Sequence, residues 1–125
     1  YDLMDAPESI KSLRKIELMR GILRRFREVS KARKIPFEVI VFPSLENIQN
    51  PSLFQSLGIP REKYFINEDM VQSLCEKESI HSINLYPIFL SENSGITFFQ
   101  EGDGHLSKEG YRYVARILSQ EILQS

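Results

Sequence analysis

The sequence predicts an α/β fold in which a small parallel sheet is flanked by helices. Helical and strand patterns alternate in the order helix, strand, helix, strand, helix, which is typical of this class. The first strand pattern is almost wholly apolar, as expected of a parallel strand buried on both faces. With 125 residues, of which 42% are hydrophobic and 26% charged, the chain has the composition of a globular protein and the length of one domain, predicted over residues 1–125.

The first element is a long helix predicted between Pro7 and Lys34. Pro7 suits a first helical turn, and Pro36 ends the helix because it forces Ile35 out of helical space. Apolar residues recur three or four positions apart and predict one buried face, made of Ile10, Leu13, Ile16, Met19, Leu23, Phe26 and Val29.

Two short strands and a crossover helix follow. The strands are "PFEVIVFP" at residues 36–43 and "HSINLY" at 81–86. Residues 44–66 are interpreted mostly as loop, with a turn of helix near residues 53–57. Asn67 is placed as the N-cap of the crossover helix, with Glu68 and Asp69 in its first turn. The apolar residues of this helix are Met70, Val71, Leu74 and Cys75. A strand, a helix and a second strand predict a βαβ unit with parallel strands.

A last helix is predicted from Ser107, which suits an N-cap. Its apolar face is predicted to comprise Tyr111, Val114, Ala115, Leu118 and Ile122. Cys75 is the one cysteine and cannot form an internal disulfide, so it is expected to be a small buried residue. No apolar run approaches the roughly 20 residues that span a bilayer, and no leader pattern opens the chain.

The charge of the chain is nearly balanced, with a formal net charge of −1. The charge of the whole chain therefore gives no argument for a nucleic-acid partner or for a membrane surface, and a nucleic-acid partner is not predicted. Residues 7–34, however, hold ten Lys or Arg and three Glu. Two interpretations of this excess are open: a basic face that meets an anionic partner, or the solvated side of a helix whose long basic side chains cover apolar surface.

Asp103 and His105 form the candidate site, on a loop directly before the last helix. Side chains two residues apart on an extended backbone point to the same side, and Gly102 and Gly104 allow the loop to fold sharply. In nucleophilic hydrolysis an imidazole takes the proton of a serine, and a carboxylate holds the imidazole in the right tautomer. An ordinary turn followed by a helix cap is the alternative, because Asp-Gly is also a common turn dipeptide.

The block "DGHLSKEGYRYVARIL" resembles the C-terminal block of the SGNH (GDSL-type) hydrolases, with a pattern like D-G-H-L-N-x-x-G-H before a helix. Ser107 replaces the usual Asn, and Tyr111 replaces a frequent His. The matching positions are Asp103, Gly104, His105, Leu106, Gly110, Val114 and Ala115. The resemblance implies a partial three-layer α/β/α, flavodoxin-like fold, with His105 as general base and Asp103 as its orienting partner. Its specific part covers about sixteen residues of the 125.

The chain departs from that family in one large respect. The Gly-Asp-Ser block that carries the family's nucleophile does not occur here. The resemblance therefore implies the C-terminal portion of a serine esterase that acts on acyl esters of a carbohydrate or lipid, without a cofactor. Two strands are too few for a stable sheet, so the missing N-terminal half or a second copy is expected at the open sheet edge. The chain, which begins at Tyr1, is interpreted as a piece of a longer product; its compartment is not predicted.

Two other functions are weighed against the esterase. A non-catalytic binding or interaction domain could keep the hydrolase fold and use the basic first helix or the open sheet edge. In the third interpretation Asp103 and His105 bind a metal, but zinc needs three or four ligands and His81 is the only other histidine. No metal site is predicted. His81, at the head of a strand, is given a structural or surface role.

Overall fold

The structure, a computed structural model, describes residues 6–44, 48, 51–92 and 94–124. The chain divides into two compact units, an N-terminal unit of residues 1–89 and a C-terminal unit of residues 90–125. The prediction of one domain over 1–125 stays a prediction.

The elements are α1 (Ile10–Arg33), β1 (Glu38–Val41), α2 (Pro51–Ser56), a 3₁₀ turn (Arg61–Lys63), α3 (Ile66–Lys77), β2 (His81–Asn84), α4 (Leu85–Ser91) and α5 (Lys108–Gln124). Helices and a small sheet together confirm an α/β fold at this coarse level.

β1 and β2 pair in parallel, as predicted, and form a two-stranded sheet within the described residues. The register places Glu38 opposite His81 and Val41 opposite Asn84. The Asn84 amide donates to the Gln72 side chain at 2.8 Å, so this sheet face is turned towards α3. The prediction that β1 is buried on both faces is wrong for most of the strand: only Val41 is buried. β1 has a single partner strand among the described residues, which leaves its other residues half-buried.

The main core of the N-terminal unit lies between α1, α3 and the sheet. Its buried members are Leu23 of α1, Leu74 and Cys75 of α3, and Ile80 just before β2. The residues packed around them are Ile16, Met19, Phe37, Val39, Met70 and Val71. Cys75 is fully buried, as predicted, and burial raises the pKa of its thiol. This core fixes α1 and α3 side by side over one face of the sheet.

The predicted buried face of α1 is only half right. Ile16, Met19 and Leu23 pack in the core, but Ile10 and Phe26 are 71% and 58% exposed. Leu13, also predicted to be buried, is 51% exposed. Apolar residues occur on more than one side of this helix, so their spacing does not decide which side is buried. Contacts with α3 and with the turn that follows α3 determine which side of α1 is buried.

That turn places Glu78 against three arginines of α1. The Glu78 carboxylate accepts hydrogen bonds from Nε of Arg20 at 2.7 Å and from Nη2 of Arg24 at 2.8 Å, and Arg27 Nη1 lies 3.3 Å from it. Arg27 also donates to the Glu78 backbone carbonyl at 2.5 Å. Hydrogen bonds from Arg24 and Arg20 lower the pKa of Glu78 to about 2. The cluster explains three of the ten bases in residues 7–34 without any external partner.

Three boundaries differ from the sequence prediction. α3 begins at Ile66, and its N-cap position is Phe65, not Asn67. α2 confirms the turn of helix predicted near residues 53–57, but it begins two residues earlier, at Pro51. "LYPIFLS" forms α4, where the prediction continued the strand to residue 86. The Asn84 side chain accepts the backbone N–H of Tyr86 at 3.2 Å, and Pro87 lies in the first turn, so both residues favour helix initiation here.

Candidate functional site

The candidate site is a loop, residues 100–105, whose two ends are held together. Phe99 and Leu106 form an antiparallel bridge, and the Gln100 N–H donates to the His105 carbonyl at 2.9 Å. The Phe99 and Leu106 side chains are both buried. The Asp103 N–H donates to the Gln100 carbonyl at 3.2 Å, which tightens the turn. The loop is therefore a short hairpin-like excursion with a buried, apolar base.

Asp103 and His105 meet at the tip of this loop. Oδ1 of Asp103 lies 2.5 Å from Nδ1 of His105 and also accepts the backbone N–H of His105 at 3.0 Å. One carboxylate oxygen thus fixes both the backbone and the ring of the histidine. Gly102, with a φ of 68°, supplies the left-handed turn that brings them together. Gly104, also predicted to help the loop fold, has no positive φ.

The electrostatics of the pair favour an ionised carboxylate beside the imidazole. Hydrogen bonds from the His105 ring and backbone lower the pKa of Asp103. The His105 side chain is 76% exposed and the Asp103 side chain 48%. With Nδ1 protonated and donating to Asp103, the lone pair of the neutral ring lies at Nε2, on the opposite edge. The ring is oriented to accept a proton at that edge.

Ser107 caps the helix that follows, as predicted. Its Oγ accepts the N–H of Gly110 at 2.9 Å and donates to the carbonyl of Thr97. The Ser107 N–H donates to the Phe98 carbonyl at 2.8 Å. Ser107 therefore joins the start of α5 to the segment that leads into the loop. Its hydroxyl is engaged in these structural hydrogen bonds and is not available as a nucleophile.

We expect Ser107→Ala to lower the free energy of unfolding by about 1 kcal/mol, because the helix start loses its side-chain acceptor and Thr97 loses a donor. Ser107→Asn keeps a capping side chain and should stay within about 0.5 kcal/mol of the wild type. Urea titrations followed by far-ultraviolet circular dichroism measure both. Equal stability of Ser107→Ala and wild type would show that the cap contributes nothing.

The buried face of α5 is rotated from the predicted one. Gly110, Tyr113 and Val114 are buried, whereas Tyr111 and Ile122, both placed on the predicted face, are 58% and 50% exposed. Tyr113 packs edge-on against Phe98, with ring centroids 5.2 Å apart. The pattern of apolar letters missed this face because Gly110 contributes close backbone packing without any side chain.

A polar groove of about 500 Å³ lies on the same unit, between residues 94–96 and α5. It is lined by Arg112, Tyr113 and Arg116 among others, and the Arg116 guanidinium lies 5.1 Å from the centre of the Tyr113 ring. Burial and a hydrogen bond to Glu92 raise the pKa of Tyr113. His105 and Asp103 do not line this groove.

Serines near the motif do not complete a triad. Ser94 is engaged by Glu92, whose carboxylate accepts the Ser94 N–H at 2.8 Å and whose pKa is lowered chiefly by the Ser94 side chain. Ser107 is the helix cap.

His81 lies in the N-terminal unit, 3.4 Å from Glu38 on the neighbouring strand. Across the described ranges, no group of three or more His, Cys, Asp or Glu side chains is placed to hold a metal ion.

The sequence predicted the pair but missed the residue that closes its loop. Gln100 donates through its side chain to the Leu106 carbonyl at 3.2 Å and through its backbone to His105. A sequence pattern that indicates this closure was present: a Phe-rich run precedes the glycines and a leucine follows the histidine, and such apolar residues can anchor the two ends of a loop. Gln100 follows the first anchor directly.

Among the residues that the structure describes, none of the helices is both long and apolar enough to cross a membrane. Comparison with protein-family models, with curated proteins and with solved structures finds no match to this chain.

Proposed function

We propose that this chain is the C-terminal part of an SGNH-like serine esterase with a three-layer, flavodoxin-like fold, and that it supplies the histidine and aspartate of a Ser-His-Asp triad. The observation that carries the proposal is the 2.5 Å contact between Asp103 Oδ1 and His105 Nδ1. In a triad this contact fixes the imidazole tautomer and leaves Nε2 towards the nucleophile.

In the proposed reaction, His105 Nε2 takes the proton of a serine hydroxyl as its oxygen attacks the acyl carbonyl. The imidazolium is stabilised by Asp103, which stays ionised because its pKa is lowered by His105. His105 then returns the proton to the leaving alcohol, and water cleaves the acyl-enzyme by the same route in reverse. By the family resemblance, the serine and the oxyanion donors lie ahead of this chain, and the substrate is an acyl ester of a carbohydrate or lipid.

The test uses the longer protein that contains this chain together with a Gly-Asp-Ser block. We expect His105→Ala to lower kcat/KM for p-nitrophenyl acetate by about 10⁴- to 10⁶-fold and Asp103→Asn by about 10³- to 10⁴-fold. His81→Ala is the matched control, because it removes the only other histidine, and it should leave kcat/KM unchanged. The 125-residue chain by itself is expected to be inactive, for lack of a nucleophile.

A fluorophosphonate probe adds a second readout, since it labels only a serine activated by its base. The probe should label the wild-type protein and fail to label His105→Ala at the same concentration and time. If His105→Ala hydrolyses the ester as fast as wild type, the role of His105 is wrong.

A non-catalytic binding module is the second candidate, favoured by the exposed apolar side chains of α1 described below. The coding sequence ahead of Tyr1 separates the two. A Gly-Asp-Ser block after a strand favours the esterase, whereas an unrelated domain or a nearby start codon favours the binding module.

A further inference from the structure

The side of α1 that faces away from the core carries a second apolar stripe. Leu18, Ile22 and Phe26 follow one another at intervals of four residues, so they share one side of the helix. They are 65%, 43% and 58% exposed, although residues of this kind are usually buried. We call these three residues the outer stripe. A groove of about 530 Å³ runs along it, where Gly21 leaves a gap between larger side chains.

Basic side chains lie at the N-terminal end of the outer stripe. Lys11, Arg14 and Lys15 line a second groove that begins at the N-terminal end of α1 and reaches Leu18. Further along, the groove beside Ile22 and Phe26 is lined by one base, Arg25, and one acid, Glu17. Arg25 also pairs with Glu28 at 3.6 Å. Apolar side chains flanked by Lys and Arg on one helix face are the pattern of helices that lie in a membrane interface.

Three arginines of α1 do not belong to this pattern, because they form a cluster with Glu78, which we call the Glu78 cluster. Arg20, Arg24 and Arg27 are directed to Glu78, on the core side of α1. Of the ten bases in residues 7–34, seven then remain against three acids, a net charge of +4 outside the cluster. Three of these seven, Lys11, Arg14 and Lys15, line the groove at the N-terminal end of the outer stripe, so that end is basic as well as apolar.

Self-association of the outer stripe is disfavoured by the same charges. In an antiparallel pair of α1 helices centred on Ile22, Leu18 would meet Phe26 and Lys11 would meet Arg33. In a parallel pair every base would meet its own copy. Both arrangements set like charges opposite each other, which is destabilising. Nucleic acid would match the bases but would leave the apolar side chains without a partner, since phosphate contacts do not bury leucine or phenylalanine.

We propose that the outer stripe is a docking face for an anionic lipid surface. Leu18, Ile22 and Phe26 enter the boundary between headgroups and acyl chains, with α1 parallel to the membrane plane. Lys11, Arg14 and the other flanking bases contact the lipid phosphates and carboxylates. The proposal is independent of the esterase assignment, since it uses none of the residues of the loop.

Sedimentation with vesicles tests the proposal on the full chain. We expect binding to vesicles of phosphatidylcholine with 30% phosphatidylserine and at least tenfold weaker binding to pure phosphatidylcholine. The double variant Leu18→Gln/Ile22→Gln should lower the partition coefficient about tenfold or more, because leucine and isoleucine no longer leave water. Arg14→Glu should weaken binding to the anionic vesicles and reduce its dependence on salt.

Leu57→Gln is the matched control, because Leu57 is also 57% exposed but lies outside α1. It should bind as wild type does. Circular dichroism melts confirm that the variants are folded; both glutamines replace exposed side chains, so native melting is expected. Phe26 is left unchanged because its ring stacks on Phe37, with centroids 5.7 Å apart.

Three outcomes overturn the proposal. The first is no binding to anionic vesicles, and the second is unchanged binding of Leu18→Gln/Ile22→Gln. The third is a wild-type dimer in sedimentation velocity without lipid that the double variant abolishes, since the outer stripe would then be an interface between copies of this chain.

Discussion

Gly110→Ala is expected to lower the free energy of unfolding by about 2–3 kcal/mol, the upper part of the range for overpacked core substitutions. A Cβ at this position would fall on the carbonyl oxygen of Phe98, with the carbonyl carbon at 3.0 Å and Cα at 3.2 Å. These are backbone atoms, so no side-chain rotation can relieve the contact. α5 would have to move away from residues 97–99 and break the hydrogen bonds that Ser107 makes to both sides.

Gly21→Ala is the matched control for this substitution. It makes the same chemical change inside a helix, but no heavy atom lies within 4 Å of the added Cβ. Alanine is the better helix former, so the free energy of unfolding should rise by about 0.5–1 kcal/mol. Urea titration of both variants measures the contrast. If Gly110→Ala is as stable as wild type, the close approach of α5 to Phe98 is wrong.

This contact gives a physical reason for a glycine in the motif. Gly110 lies in the block on which the proposed family assignment rests, and it lets α5 start directly against the segment that leads into the loop. The Asp103–His105 loop is closed by Phe99 and Leu106, next to this packing. We therefore expect Gly110→Ala to disturb the candidate site as well as the stability.

Local chemistry made some parts of the fold predictable from sequence. Ser107 as a helix cap and the burial of Cys75 follow from residue preferences, and the parallel pairing of the two strands follows from the helix that connects them. The Asp103–His105 contact belongs with them, because two residues on one tight loop reach each other without help from the rest of the chain. Its catalytic role stays a prediction, since a triad also needs a serine.

Long-range contacts determine which faces of α1 and α5 are buried, and the sequence pattern does not show these contacts. The buried side of α1 depends on Glu78, which lies 54 positions from Arg24 in sequence. Leu13 and Leu23 have equally apolar side chains, yet Leu23 is buried against Leu74 and Cys75 of α3 and Leu13 is 51% exposed. In α5, a periodicity count gives no weight to Gly110, although its missing side chain allows the closest packing of the helix. Apolar spacing predicted both helices correctly but not their rotation.

Glu78→Gln is expected to cause a large loss of stability at neutral pH. The substitution keeps the size of the side chain but removes the negative charge that pairs with Arg20, Arg24 and Arg27. The Glu78 side chain is only 5% exposed, so water cannot readily replace the lost partner. Glu28→Gln is the control: its pair with Arg25 is 3.6 Å long and solvent-exposed on both sides, and its loss should have no measurable effect.

The pH dependence of unfolding identifies the same group. The pKa of Glu78 is about 2 in the folded protein against an ordinary value of 4.5, so the unfolded state binds more protons between these values. The stabilisation by Glu78 is therefore complete above pH 4.5 and is lost as the pH falls towards 2.

Urea midpoints should fall steeply over this range in the wild type and less steeply in Glu78→Gln, which has no carboxyl to titrate at position 78. Other carboxylates with lowered pKa values, such as Asp103, contribute equally to both proteins, so the difference between the two curves belongs to Glu78. Parallel curves would mean that the arginine cluster does not stabilise the fold.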